Sequence, residues 1–190
     1  MRLFVALSLP EPVREQLGAF ESGLPGARWV PEDNLHLTLR FIGEVDGGVA
    51  RDIDSCLAEI SMPTFEASFD RLDTFGDGRS LRALWVGVAS PNEPLLRLQA
   101  KVEKAIVRAG LAPESRKFTP HVTLARFSRN NGRVPADKMQ AYLSQYARLR
   151  IGPVQFDRFT LFSSVLHRDG SIYTPEADYP LERPLAVGQL

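Results

Sequence analysis

The chain contains one unit twice, and that repeat constrains its fold more than any other feature. Residues 2 to 41 run apolar strand, proline, amphipathic helix, loop and then His36-Leu37-Thr38-Leu39-Arg40-Phe41. Residues 82 to 127 pass through the same units in the same order. They end on His121-Val122-Thr123-Leu124-Ala125-Arg126-Phe127, with a longer loop and one extra residue, Ala125. Strands and helices interleaved in two copies predict an α+β fold of two pseudo-symmetric lobes, each an antiparallel sheet with helices on its outer face. The two His-containing strands then border a shared central groove, and residues 1–190 form a single bilobal domain.

The remaining elements follow from periodicity. Arg2 to Leu9 reads as a buried strand closed by Pro10. Val13, Leu17, Phe20 and Leu24 recur as one face of a helix starting at Glu11. Arg28-Trp29-Val30 is a short extended piece, and Leu35 to Ile42 a strand. Asp46 is placed to cap a helix carrying Ile53, Leu57 and Ile60, and Phe65, Ala67 and Phe69 alternate as in a half-buried strand. After the strand Ala83 to Ala89, Ser90-Pro91-Asn92-Glu93 resembles a capping box. It precedes the stripe Leu95, Leu98, Val102, Ala105, Ile106 and Ala109, which Gly110 ends. Met139, Leu143 and Tyr146 suit a further helix. Val154 to Ser163 and Ser171 to Leu181 read as a closing pair of strands around the turn Asp169-Gly170.

With 23 basic and 23 acidic residues the chain is neutral, which argues against a protein that coats long nucleic acid by bulk charge. The neutrality is uneven. Arg108 to Arg133 holds six basic residues and one acidic, and Phe41 to Ser80 holds nine acidic and three basic. The basic stretch brackets the second His strand, where it reads equally as a contact for RNA backbone or as an ordinary solvated loop. Cys56 is the only cysteine, so no internal disulfide forms. The longest run without Asp, Glu, Lys or Arg, Ala83 to Asn92, is half of a membrane span. These features predict a cytoplasmic monomer with no membrane association.

Two of the three histidines are followed by x-Thr-Leu. On a strand each His shares a face with its Thr, while Leu37 and Leu39, or Val122 and Leu124, face the core. A polar pair aimed away from the core, twice, points to chemistry rather than packing. Imidazole titrates near neutrality, so one His can take a proton from water while the other gives one to a leaving oxygen. That division suits phosphodiester cleavage, with the Thr38 and Thr123 hydroxyls bonding phosphate oxygens and Arg40 or Arg126 neutralising charge. Two histidines with no cysteine or carboxylate at ligand spacing fall short of a zinc set.

These motifs, with Arg28-Trp29-Val30-Pro31-Glu32-Asp33-Asn34-Leu35 ahead of the first and Pro120 ahead of the second, resemble the 2H phosphoesterase superfamily. Within it the resemblance is to the bacterial and archaeal RNA 2′,3′-cyclic phosphodiesterases, historically called 2′-5′ RNA ligases, and it extends over essentially the whole chain. The resemblance implies metal-independent hydrolysis of an RNA 2′,3′-cyclic phosphate end to a 2′-phosphate without any cofactor. The reverse 2′-5′ ligation is a reaction that the same histidines could run. It implies His36 as proton donor, His121 as proton acceptor, Thr38, Thr123 and Arg126 as phosphate contacts, and Phe41 as the residue that stacks on the terminal base. Phe41 and Arg126 each lie five residues after their His, an odd offset that requires a β-bulge or the end of the strand, and the extra Ala125 hints at a bulge. Cyclic phosphates of small nucleotides or of ADP-ribose are alternative substrates, and a non-catalytic protein that binds RNA ends or nucleotides is the alternative of another class. His167, beside the Asp169-Gly170 turn, reads as a surface residue. Tyr173 and Tyr179 read as edge packing, and Trp29, Trp85 and Cys56 as core.

Overall fold

The computed structural model describes residues 1–78, 81–128, 134–167 and 170–182. Arg79, Ser80, Arg129, Arg133 and Asp169, which belong to the charged stretches and the turn named above, lie outside these residues. In chain order the elements are β1 (Arg2–Ser8), α1 (Glu11–Gly18), β2 (Arg28–Trp29), a 3-10 turn (Glu32–Asn34) and β3 (His36–Glu44). There follow α2 (Gly47–Ala58), β4 (Phe65–Phe75), β5 (Ala83–Val88), α3 (Glu93–Arg108) and β6 (His121–Arg126). The chain continues through α4 (Ala136–Gln145), β7 (Ile151–Phe156), β8 (Arg158–His167) and β9 (Gly170–Pro180).

The long strands form one antiparallel path in the order β7-β4-β5-β6-β3-β1-β8-β9, with β2 paired to β6. The repeats supply the inner strands of its two halves, β1 and β3 in one and β5 and β6 in the other. In one, β3 pairs with β1, β1 with β8 and β8 with β9; in the other, β6 pairs with β5, β5 with β4 and β4 with β7. The halves meet where β3 and β6 touch, at the register pair Leu37 and Val122. Each of these residues is fully buried and adjoins one of the two histidines. One face of the sheet is apolar and lies under the helices: Leu3, Val5, Leu7, Leu37, Leu39, Leu84, Val86, Val88, Val122 and Leu124 share a single core with residues of α1, α2 and α3. Helix α3 packs on β3 and β4, α2 on α3 and β9, and α1 on β7. The opposite face carries the histidines.

Local chemistry explains most element ends. The Asp46 carboxylate accepts hydrogen bonds from the Gly48 and Val49 amides, which caps α2. Helix α3 is capped by Asn92, whose side chain accepts from the Leu95 amide, so the cap stands two residues later than the Ser90 capping box expected from sequence. Helix α1 stops at Gly18 instead of running on through Phe20 and Leu24. Gly23 and Gly26 adopt positive φ values of 74° and 73°, which turns the chain; Phe20 and Leu24 still reach the core from the loop. The single strand expected over Val154 to Ser163 is two strands. The chain turns at Asp157, leaving β7 on the β4 edge and sending β8 to the other half of the sheet. The Asp157 carbonyl accepts from the Leu181 amide at 2.7 Å and fastens that corner. The polar pair Asp157-Arg158 interrupts the alternation there, and the apolar phase shifts from Val154 and Phe156 to Phe159 and Leu161. In α4 the buried side chain is Tyr142, with Met139, Leu143 and Tyr146 only partly buried around it.

Candidate active site

His36 and His121 open their strands, and each is held in the same way. The His36 Nδ1 lies 2.7 Å from the Asn34 carbonyl, and the His121 Nδ1 lies 2.7 Å from the Thr119 carbonyl. A carbonyl only accepts, so Nδ1 carries the proton in both rings and Nε2 is the atom left for chemistry. Asn34 also donates to the Ser171 carbonyl, tying the first histidine's anchor to the hairpin of β8 and β9.

Both rings sit among aromatic side chains. Phe4 and Tyr173 flank His36 at centroid distances of 4.9 and 5.3 Å, and Phe162 stacks on Phe4 at 5.1 Å. Phe75 and Trp85 flank His121 at 4.8 and 5.7 Å. Of these five, sequence reasoning weighed only Tyr173, read as edge packing, and Trp85, read as core. Trp85 is indeed buried, but it is buried against the imidazole. The available signal was phase: Phe4 alternates with the core residues Leu3 and Val5 and so emerges on the histidine face. Tyr179 is buried, with its hydroxyl donating to Asp54, whereas Cys56 and Trp29 are only partly buried. His167 is exposed at the end of β8.

This apolar shell sets the protonation of the pair. Burial lowers the His36 pKa from its ordinary 6.5 to about 4, against the opposing effect of the Asn34 carbonyl and with help from the charges of Arg126 and His121. Burial also lowers the pKa of His121, again opposed by its backbone carbonyl and assisted by Arg126. Both rings are therefore neutral at pH 7 in the free protein, and one guanidinium is felt by both.

Thr38 and Thr123 are half-buried on the faces of their histidines, and among the described residues their hydroxyls are not engaged by another protein group. The odd offset of Phe41 and Arg126 is resolved by a bulge in each strand. On β3 the pairing passes from Ala6 with Thr38 to Val5 with Arg40, skipping Leu39; on β6 it passes from Trp85 with Thr123 to Leu84 with Ala125, skipping Leu124. Phe41 then stands opposite Phe4, and Arg126 opposite Ala83, on the histidine face. Ala125 is thus no insertion, since both repeats bulge at the residue after the threonine. The same bulge turns Arg40 to the helix side. There its Nε lies 2.8 Å from Glu103 and its Nη1 3.3 Å from Glu114, so it is a structural ion pair and not a groove cation. Phe41 is exposed, with the Arg2 guanidinium 5.1 Å above its ring. Among the described residues no three His, Cys, Asp or Glu side chains converge as a metal-binding group, and no helix is long and apolar enough to cross a membrane.

Comparison with known proteins bears on this arrangement. Among curated proteins, RNA 2′,3′-cyclic phosphodiesterases from Aeropyrum pernix and Escherichia coli are similar. The first is 36% identical over 80% of this chain and 84% of its own, and the second 31% identical over 92% and 93%. Among solved structures, one titled a phosphoesterase superposes with a TM-score of 0.77 at 28% identity, covering 96% of this chain and 98% of that one. E. coli LigT complexed with 3′-AMP superposes with a TM-score of 0.73 at 29% identity and the same coverage. The family model described as the 2'-5' RNA ligase superfamily matches residues 9–168, which include both His-x-Thr strands and both bulges. The chain belongs to that superfamily.

Proposed function

We propose that the chain hydrolyses RNA 2′,3′-cyclic phosphate ends to 2′-phosphates by acid–base catalysis between His36 and His121. The observation that carries the reading is the paired, Nδ1-anchored imidazoles on one face of the two repeat strands. With Nδ1 committed to a carbonyl, a neutral His121 presents the Nε2 lone pair, which takes a proton from water as its oxygen attacks phosphorus. The bond from phosphorus to the 3′ oxygen breaks, and a protonated His36 gives its Nε2 proton to that oxygen. The assignment of acid to His36 and base to His121 follows the family resemblance. Thr38, Thr123 and Arg126 bond the non-bridging oxygens, and Phe41 offers its exposed ring to the terminal base.

The depressed pKa values fit this cycle in a specific way. The free protein holds neither proton, so the phosphate anion itself must raise an imidazole pKa on binding and load the acid. Both histidines and both threonines come from one chain, which supports a site complete in one copy; the lone cysteine supports a cytoplasmic setting.

The test is incubation with an oligoribonucleotide bearing a 2′,3′-cyclic end. The expected product is a 2′-phosphate, formed at the same rate in the presence of a chelator. His36→Ala and His121→Ala each lower kcat by about 10²–10⁴-fold, and the double variant is little worse than either. Full activity in either single variant would sink the mechanism, and a 3′-phosphate product would reassign the leaving oxygen. Binding of the end without turnover between pH 5 and 9, a range that spans the ordinary histidine pKa, would favour a binding protein.

A further inference from the structure

Strand β2 brings a second arginine to the groove. Arg28 stands directly opposite Arg126 in the β2–β6 ladder, and opposite residues share a face. The next pair, Trp29 with Ala125, sits on the core side, which puts Arg28 on the face of the histidines. Both arginines are exposed, and among the described residues neither has a carboxylate partner. Other arginines of this chain do have partners: Arg40 meets Glu103 and Glu114, Arg108 meets Glu59, and Arg158 meets Asp157 and Asp178. Like charges facing each other across a ladder destabilise the pair. An anionic ligand lying between them removes that repulsion.

The charge balance says how large the ligand is. A cyclic phosphodiester end carries a single negative charge, whereas Arg126 and Arg28 present two facing guanidinium groups without carboxylate partners among the described residues and, during turnover, one imidazole is protonated. Arg2 lies instead over the Phe41 ring, and Arg71 lies over Trp85 with Asp70 3.8 Å away. Arg126 acts on both imidazoles and so belongs to the reacting phosphate. On the neighbouring strand β2, Arg28 is left for a second anion. We propose that Arg28 binds the internal phosphodiester next to the reacting end, so that the groove selects an RNA chain over a lone cyclic nucleotide. This rests on the cyclic phosphodiesterase reading given above.

The experiment compares adenosine 2′,3′-cyclic phosphate with a diribonucleotide that ends in the same cyclic phosphate and has one internal phosphodiester. Arg28→Ala is expected to raise the KM for the dinucleotide about tenfold with kcat unchanged, as for loss of one charge-assisted contact. The KM for the mononucleotide stays within about twofold, and Arg28→Lys, which keeps the charge, recovers most of the dinucleotide KM. In the native protein the dinucleotide KM rises more steeply with salt than the mononucleotide KM, by the release of about one further counterion. Without ligand, Arg28→Ala melts no lower than the native protein, because it removes a repulsion. An equal rise in KM on both substrates, no rise on the dinucleotide, or parallel salt dependence in the native protein would overturn the proposal. If the native protein opens neither substrate, the cyclic phosphodiesterase reading itself fails.

Discussion

Arg126→Met separates the electrostatic role of this residue from its position in the groove. The Arg126 charge lowers the pKa of both His36 and His121, in each case with burial as the larger cause. At a pKa of about 4, roughly one His36 ring in a thousand is protonated at pH 7, against about one in four for an unperturbed histidine. Catalysis needs one ring protonated and one neutral, and kcat/KM reports the free enzyme. Its bell must therefore peak between the two depressed values, on the acid side of 6.5. The kcat bell lies at higher pH, because the bound phosphate anion favours the imidazolium. Replacing Arg126 by Met removes a positive charge from both rings, so both free-enzyme values rise and the kcat/KM optimum moves up. It stays below 6.5, since the aromatic shell that causes most of the depression is untouched. Height falls as the position moves: loss of the phosphate contact lowers the maximum by about 10²–10³-fold. Steady-state rates on a 2′,3′-cyclic end between pH 4 and 9 measure both. A native kcat/KM optimum above pH 7, or a variant bell that keeps the native position, would refute the electrostatic argument.

Other expectations concern the two faces of the sheet. Arg40→Ala breaks a partly buried ion pair with Glu103 and Glu114 and costs about 1–3 kcal/mol of stability by urea unfolding, while kcat/KM stays near native. Leu37→Ala opens a cavity at the fully buried junction of the lobes and costs about 2–5 kcal/mol; thermal unfolding gives the value. Phe41→Ala removes an exposed ring from the groove. It is expected to raise KM about fivefold to tenfold with little change in kcat and no loss of stability, as read from Michaelis curves and a melting scan. Acid lowers stability in a defined window. With His36 depressed to about 4, the unfolded chain binds more protons below pH 6.5, so stability is full above 6.5 and falls as pH drops toward 4. His36→Gln, compared by urea midpoint at pH 5 and 7.5, flattens that loss.

Much of this was legible in the residues because repeat, alternation and capping are local signals. His36 and Thr38 share a face by period two whatever the strands pair with. Asp46 caps its helix through amides two and three residues away. What escaped depends on pairings distant in sequence. The aromatic shell of His36 comes from β1, β8 and β9, and no window of sequence contains all three. The corner at Asp157 is set by where β7 and β8 find their partners, and its local sign is only the polar pair Asp157-Arg158 between two apolar runs. Arg28 reads as one polar residue before a tryptophan until β2 is laid against β6.

The bulges carry the deepest consequence of the repeat. Aligned by letters, Arg40-Phe41 matches Arg126-Phe127 and Ala125 is an insertion; aligned by ladder, Arg40 matches Ala125 and Phe41 matches Arg126. The duplicated bulge therefore creates one equivalent groove position in each lobe, five residues after each histidine, and fills it with an aromatic ring on one side and a guanidinium on the other. The histidines, their threonines and their backbone anchors are matched across the two lobes, so they alone would accept a phosphate in either of two orientations. In the proposed reaction Phe41 and Arg126 remove that ambiguity. A ring offers a base a stacking face, and a guanidinium offers a phosphate charge-assisted hydrogen bonds. With Arg28 beside Arg126, two guanidinium groups face each other at the second repeat's groove position, while at the first the Arg2 guanidinium covers the Phe41 ring. In the proposed reaction the chemistry of cleavage thus comes from what the repeats share, and the orientation of the substrate from a groove position at which they differ.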